Sequence, residues 1–190
     1  MTSSSPPPGP PARRSAASPA GAPLSSLYQE LILDHYRRPR NRGGLEQPSV
    51  RVTLHNPVCG DEIDLQLAIA ADRVGSIRFA GHGCSISQAS ASMMTQQAGG
   101  RTLPEIRELI DLFTELMHGS APAAADRRLG DLRALQGVAR FPVRIKCALL
   151  PWDALAEALR THEAGSPDGG KIAVLDPEGL PEGEDRDLPL

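Results

Sequence analysis

The sequence predicts an α+β fold, a three-stranded antiparallel sheet covered on one face by helices. Three observations predict it. A stripe of apolar residues at helical spacing opens the foldable region. Three segments that alternate with period two follow it, and beyond them the apolar residues return to helical spacing.

The first stripe is Leu24, Leu27, Tyr28, Leu31, Ile32 and His35, with Ser26 and Gln29 placed as a capping box and Pro39 as the stop. Strands are expected over VRVTLHN (50–56), IDLQLAI (63–69) and RVGSIRFA (73–80). The short link through Ala71 and Asp72 makes a hairpin of the last two. SISQASASMMTQQA (85–98) reads as a helix of small residues, in which Met93 and Met94 serve packing. The next helix has Thr102 as cap, Pro104 and Glu105 in its first turn, and Ile106, Leu109, Ile110, Phe113 and Met117 on one face. A short helical piece is expected near 126–136, and a final helix is expected to open at Pro151 and close at Gly165.

The two ends differ from this middle. Residues 1–23 hold seven prolines among Ser and Ala, a composition that buries too little apolar surface to offset its ordering entropy. Arg13 and Arg14 without any acid also suit an organelle transit peptide, although the prolines oppose the amphipathic helix a mitochondrial signal needs. Residues 166–190 read as an acidic flexible tail, with seven acids from Asp168 onward against Lys171 and Arg186. The domain between them spans 24–165.

Of the 190 residues, 40% are hydrophobic and 23% charged, the balance of a soluble domain with a real core. The formal charge of −3 gives no global electrostatic case for nucleic-acid binding. No apolar run approaches the ~18–20 residues that cross a bilayer. Three cysteines without a signal-peptide core point to reduced thiols in a cytoplasmic setting rather than a disulfide framework.

Those cysteines are Cys59 in NPVCGD, Cys84 in GHGCSIS and Cys147 in RIKCALLPW, each expected at the edge of an element. Gly60, Gly81 and Gly83 flank two of them and permit turns that other residues resist. Cys84 directly precedes a helix, where the macrodipole favours thiolate. A packing thiol belongs more naturally in mid-strand or mid-helix. With Asp61 the set becomes three thiols and one carboxylate, a donor set that zinc accepts. No CxxC pair is present, so spacing alone leaves both a metal site and three unrelated thiols open.

The three motifs together, in this order, resemble the IscU/SufU family of iron–sulfur assembly proteins, and the resemblance covers about 24–163. It implies the α+β fold already read from the pattern. IscU-type scaffolds carry a histidine ligand immediately before the last cysteine, where this chain has Lys146. A protonated lysine offers a metal no lone pair. Lys146-Cys147, with an extra segment between the second and third cysteines, is similar to the SufU branch.

The resemblance implies zinc held by Cys59, Asp61, Cys84 and Cys147, a persulfide donor of the SufS cysteine desulfurase type, and a downstream scaffold such as the SufBCD complex. Cys59 is taken as the sulfur acceptor. Arg144, matching the family's Arg-x-x-Cys, is taken as a residue behind the site or in docking. Lys146 could steer an anionic persulfide, His82 is read as solvated, and His35 and Tyr36 could contact a partner. Two other readings use the same residues: a scaffold on which a transient iron–sulfur cluster is assembled, and a structural zinc adaptor.

Overall fold

The computed structural model describes residues 24–165, with side chains from Ser26, and the backbone of residues 171–174. Helix α1 (Leu24–Arg37) leads to strands β1 (Val50–Asn56), β2 (Asp61–Ala70) and β3 (Arg73–His82). Helices α2 (Ser85–Ala98), α3 (Leu103–Met117) and α4 (Ala121–Ala125) follow, then a 3-10 segment (Arg127–Arg140), helix α5 (Pro142–Glu163) and strand β4 (Lys171–Val174). Among the described residues, no helix is long and apolar enough to cross a membrane.

β1 pairs with β2 and β2 with β3, both antiparallel, which is the expected three-stranded sheet. The β2–β3 turn takes positive φ at Ala71 (49°) and Asp72 (57°), the twist that suits a two-residue hairpin. β4 adds a fourth strand, parallel to β1, so the order is β3-β2-β1-β4. It falls inside the segment read as acidic tail, where four residues between charged stretches carry too little pattern to mark a strand. Residues 1–23 and the rest of 166–190 lie outside the described residues.

The sheet presents Val50, Val52, Leu54, Ile63, Leu65 and Leu67 to the core, all buried, and α5 crosses β1 and β2. α2 lies between α5, β3 and α1, and its small residues allow that close approach. Phe113 of α3 stacks on Trp152 of α5, with ring centroids 4.5 Å apart. Thr102 and Glu105 form the expected capping box, and Ile106, Leu109, Phe113 and Met117 are buried while Ile110 is only partly so.

Three expectations are corrected. α1 is already helical at Leu24, so Ser26 lies within its first turn rather than capping it. The piece near 126–136 is a 3-10 segment extending to Arg140, broken at Gly130, where φ is 51°. The last helix opens at Pro142, nine residues before Pro151, and Pro151 lies inside it. A proline in a helix interior removes one backbone bond, here the bond to the carbonyl of Cys147. Tertiary packing offsets that loss. Leu150, Trp152, Leu155 and Leu159 are buried, Ser90 Oγ donates to the Ala148 carbonyl at 2.7 Å, and Trp152 Nε1 donates to Ser90 Oγ at 3.1 Å.

Candidate metal centre

The thiols meet at one end of the sheet, where the β1–β2 turn, the end of β3, and the starts of α2 and α5 converge. Cys59 occupies the four-residue turn between β1 and β2, and is exposed. Asn56 builds that turn: its side-chain oxygen accepts the Val58 N–H at 3.0 Å and its carbonyl accepts the Gly60 N–H at 2.8 Å. Gly60 closes it at φ +69°, a conformation that favours glycine.

Asp61 opens β2 and is buried at 2% exposure. Its Oδ1 accepts the Cys84 N–H at 3.0 Å. Its Oδ2 is buried without a protein partner. Gly83 makes this contact possible, because a Cβ there would stand 2.8 Å from Asp61 Cγ and 2.5 Å from Ser87 Oγ.

Cys84 caps α2 with its own sulfur, which accepts the Ser87 N–H at 3.5 Å. Hydrogen bonding from Cys147, helped by the Ser87 backbone and opposed by partial burial, brings its thiol down to about 6 in the metal-free protein. The same pairing, with burial added, pushes Cys147 up. Burial also raises Cys59, whose sulfur turns toward Cys147 and Asp61 although the residue as a whole is exposed. Cys147 is buried at 4% and lies in the second turn of α5, inside a helix rather than before one. The reason is the early start of α5 at Pro142.

Ligand atoms of Cys59, Asp61 and Cys147 all lie within 4.8 Å of one another. Cys84 is not a member of that group, but its thiol is close enough to Cys147 for the two to shift one another's ionisation. These residues suit a zinc ion by two tests of the structure. Three soft sulfurs and one carboxylate oxygen make a tetrahedral donor set, and Asp61 Oδ2 is a buried acceptor that lacks any other partner. Arg144 is exposed on the first turn of α5, Lys146 is half-buried, and His82 is exposed at the end of β3. His35 is buried and bonded to Ser92 Oγ at 2.8 Å, so it is not a surface contact, whereas Tyr36 is 45% exposed.

Three contributors went unnoticed in the sequence. The Asn56-Pro57 pair could have signalled the turn, and Ser87, three residues after Cys84, stands where a helix cap expects its partner. The close approach at Gly83 has no sequence signal.

Residues 27–163 match the NifU-like N terminal domain. The zinc-dependent sulfurtransferase SufU of Bacillus subtilis is 44% identical over 146 residues, covering 76% of this chain and 97% of that protein. The iron–sulfur cluster assembly scaffold protein IscU of Streptococcus pyogenes is 43% identical over 137 residues, covering 72% of this chain and 85% of its own length. Among solved structures, a putative iron–sulfur cluster assembly scaffold protein for the SUF system from Fervidobacterium islandicum superposes with a TM-score of 0.65 at 33% identity, covering 70% of this chain and 97% of that one. With its sheet, its thiol cluster and a match across the whole described domain, the chain belongs to the NifU-like N-terminal domain family, to which iron–sulfur cluster assembly proteins of the SufU and IscU type are related.

Proposed function

We propose that this chain is a zinc-dependent sulfur-transfer protein. It takes persulfide sulfur from a SufS-type cysteine desulfurase onto Cys59 and hands it to a downstream scaffold such as the SufBCD complex, in the cytoplasm. The observation that carries the reading is the placement of Cys59. It is the exposed member of the buried cluster formed with Asp61 and Cys147, and it stands on a turn tip that a partner can reach. Lys146 in place of a histidine ligand, and the relative named as a zinc-dependent sulfurtransferase, support it.

Zinc bound by Cys59, Asp61, Cys84 and Cys147 would hold the thiols as thiolates near neutral pH and supply no redox chemistry. Asp61 and Cys147 position the Cys59 sulfur from below, while Asn56 and Gly60 hold the turn open to solvent. In the transfer, the Cys59 thiolate attacks the terminal sulfur of the donor persulfide. A new S–S bond forms on Cys59, the donor's S–S bond breaks, and the donor leaves as a thiolate, with no net oxidation or reduction of the pair. Arg144, exposed on α5 three residues before Cys147, would meet an anionic group of the partner.

The second reading, a scaffold that assembles a transient cluster, draws on the relative named IscU at 43% identity. Metal analysis with a desulfurase turnover assay separates the two. About one zinc per chain and no cluster are expected, with stimulation of the desulfurase lost in Cys59→Ala. A stable, transferable cluster after reconstitution, with full stimulation by Cys59→Ala, would overturn the transfer reading.

A further inference from the structure

A row of metal-binding side chains crosses the sheet near the thiol end. In the antiparallel register His55 of β1 lies directly opposite Glu62 of β2, and Glu62 lies directly opposite His82 of β3. Residues paired in this way share a face of the sheet. It is the face away from the core, since the adjacent Leu54 and Ile63 are buried and side chains alternate along a strand. Just past His82 the direction reverses, because a Cβ on Gly83 would meet the buried Asp61 carboxyl. The row therefore backs onto the thiol set through β2, with Asp61 on one side and Glu62 on the other. Gly81 lets the end of β3 close on this row, where a Cβ would stand 2.2 Å from the Glu62 carbonyl oxygen. Arg42 Nη2 donates to the Gly81 carbonyl at 2.8 Å and holds that end in place.

The polar side chains one rung deeper on that face are satisfied. Asp64 accepts from Arg51 Nε and Nη2, both at 2.8 Å, and Gln66 Oε1 accepts the Leu45 N–H at 2.8 Å. By contrast, the side chains of His55, Glu62 and His82 make no hydrogen bond or ion pair among the described residues. His82 is exposed and the other two are half-buried, so all three meet solvent. Adjacent strands stand about 4.8 Å apart, so a point above Glu62 lies one strand spacing from each histidine, within the reach of an imidazole. Two imidazoles and a carboxylate suit borderline divalent cations and leave coordination positions for water. The ligand atoms of the three do not all lie within 4.8 Å of one another as those of the thiol cluster do, so binding must turn the side chains inward. Exposed side chains make such turns within nanoseconds.

We propose that His55, Glu62 and His82 bind one divalent cation of the zinc or ferrous type on the solvent face of the sheet, separate from the thiol set. Without a thiolate, this site holds zinc more weakly than the cysteines do and exchanges it with solvent. The site takes no part in sulfur transfer, so it stands or falls apart from that reading.

The test dialyses the full, zinc-loaded chain against added Zn2+ and follows the imidazole resonances of its histidines by NMR. One further zinc per chain is expected, with the His55 and His82 resonances moving together while those of His118 and His162 stay in place. His55→Ala, His82→Ala and Glu62→Gln should each weaken this second zinc by at least about tenfold, since losing a ligand costs no less than losing a supporting partner. All three variants should keep the first zinc and the thermal midpoint of wild type, and His118→Ala should bind both ions normally. The absence of a further zinc would overturn the proposal, as would a further zinc held equally by the three variants. Loss of the first zinc together with the second would also overturn it, because the two would then form one site. The imidazole resonances report on this row whatever the thiols hold, which keeps the result distinct from that of the desulfurase assay.

Discussion

Cys59 and Cys147 belong to one cluster but are held in opposite ways. Cys59 stands on a turn stitched by two hydrogen bonds to Asn56, and nothing lies within 4 Å of where a Cβ on Gly60 would be. Cys147 lies inside α5, among the residues that pack on β1, β2 and α2. A buried thiol in a helix is tied to the whole core, whereas a turn thiol is tied to two residues. The difference leaves the turn thiol open to solvent and fixes the helix thiol by its packing.

The largest expected effect sharpens that contrast directly. Cys147→Ser should lower both zinc content and the thermal midpoint, because a hydroxyl replaces sulfur in a closely packed place. Cys59→Ser should leave the unfolding free energy of the metal-free protein within about 0.5 kcal/mol of wild type, as surface changes do. Equal loss of stability in the two metal-free variants would break the comparison.

Asp61→Ala comes next. It removes the orphaned Oδ2 and also leaves the Cys84 N–H without its acceptor. Zinc affinity should fall by at least about 10–100-fold, the range seen when supporting partners of a metal site are lost, as measured by competition with a chelator. Gly83→Ala would force a Cβ to within 2.8 Å of Asp61 Cγ, so it should cost about 1–3 kcal/mol in denaturant unfolding.

The smallest effect tests α5 itself. Burial raises the Asp153 carboxyl to about 7, well above the ordinary 3.8 of an aspartate in the unfolded chain. A carboxyl raised on folding favours the native state most below its unfolded value, and that advantage is lost as pH rises through the folded one. Stability should therefore decline between pH 4 and pH 7 relative to Asp153→Asn, which should melt a few degrees higher at neutral pH. A flat difference between the two proteins across that range would show that Asp153 is solvated.

Much of the fold was legible because its signals are local. The alternation of VRVTLHN marks β1 to the residue, the small-residue run marks α2, and Thr102 with Glu105 marks the start of α3. Grouping Cys59, Asp61, Cys84 and Cys147 needed only their motifs, and the structure brings them to one end of the sheet. What hid were features whose energy comes from distant partners.

The sequence by itself therefore determined the three antiparallel strands and the central helices, since periodicity and capping act within a few residues. Only the tertiary structure decided that α5 runs through Pro151 with Cys147 inside it, that β4 joins the edge of β1, and that Asp61 keeps one buried oxygen without a protein partner. Each of these depends on contacts between residues far apart in the chain. Ser90 on Ala148, β1 beside β4, and Gly83 against Asp61 leave no trace in neighbouring positions.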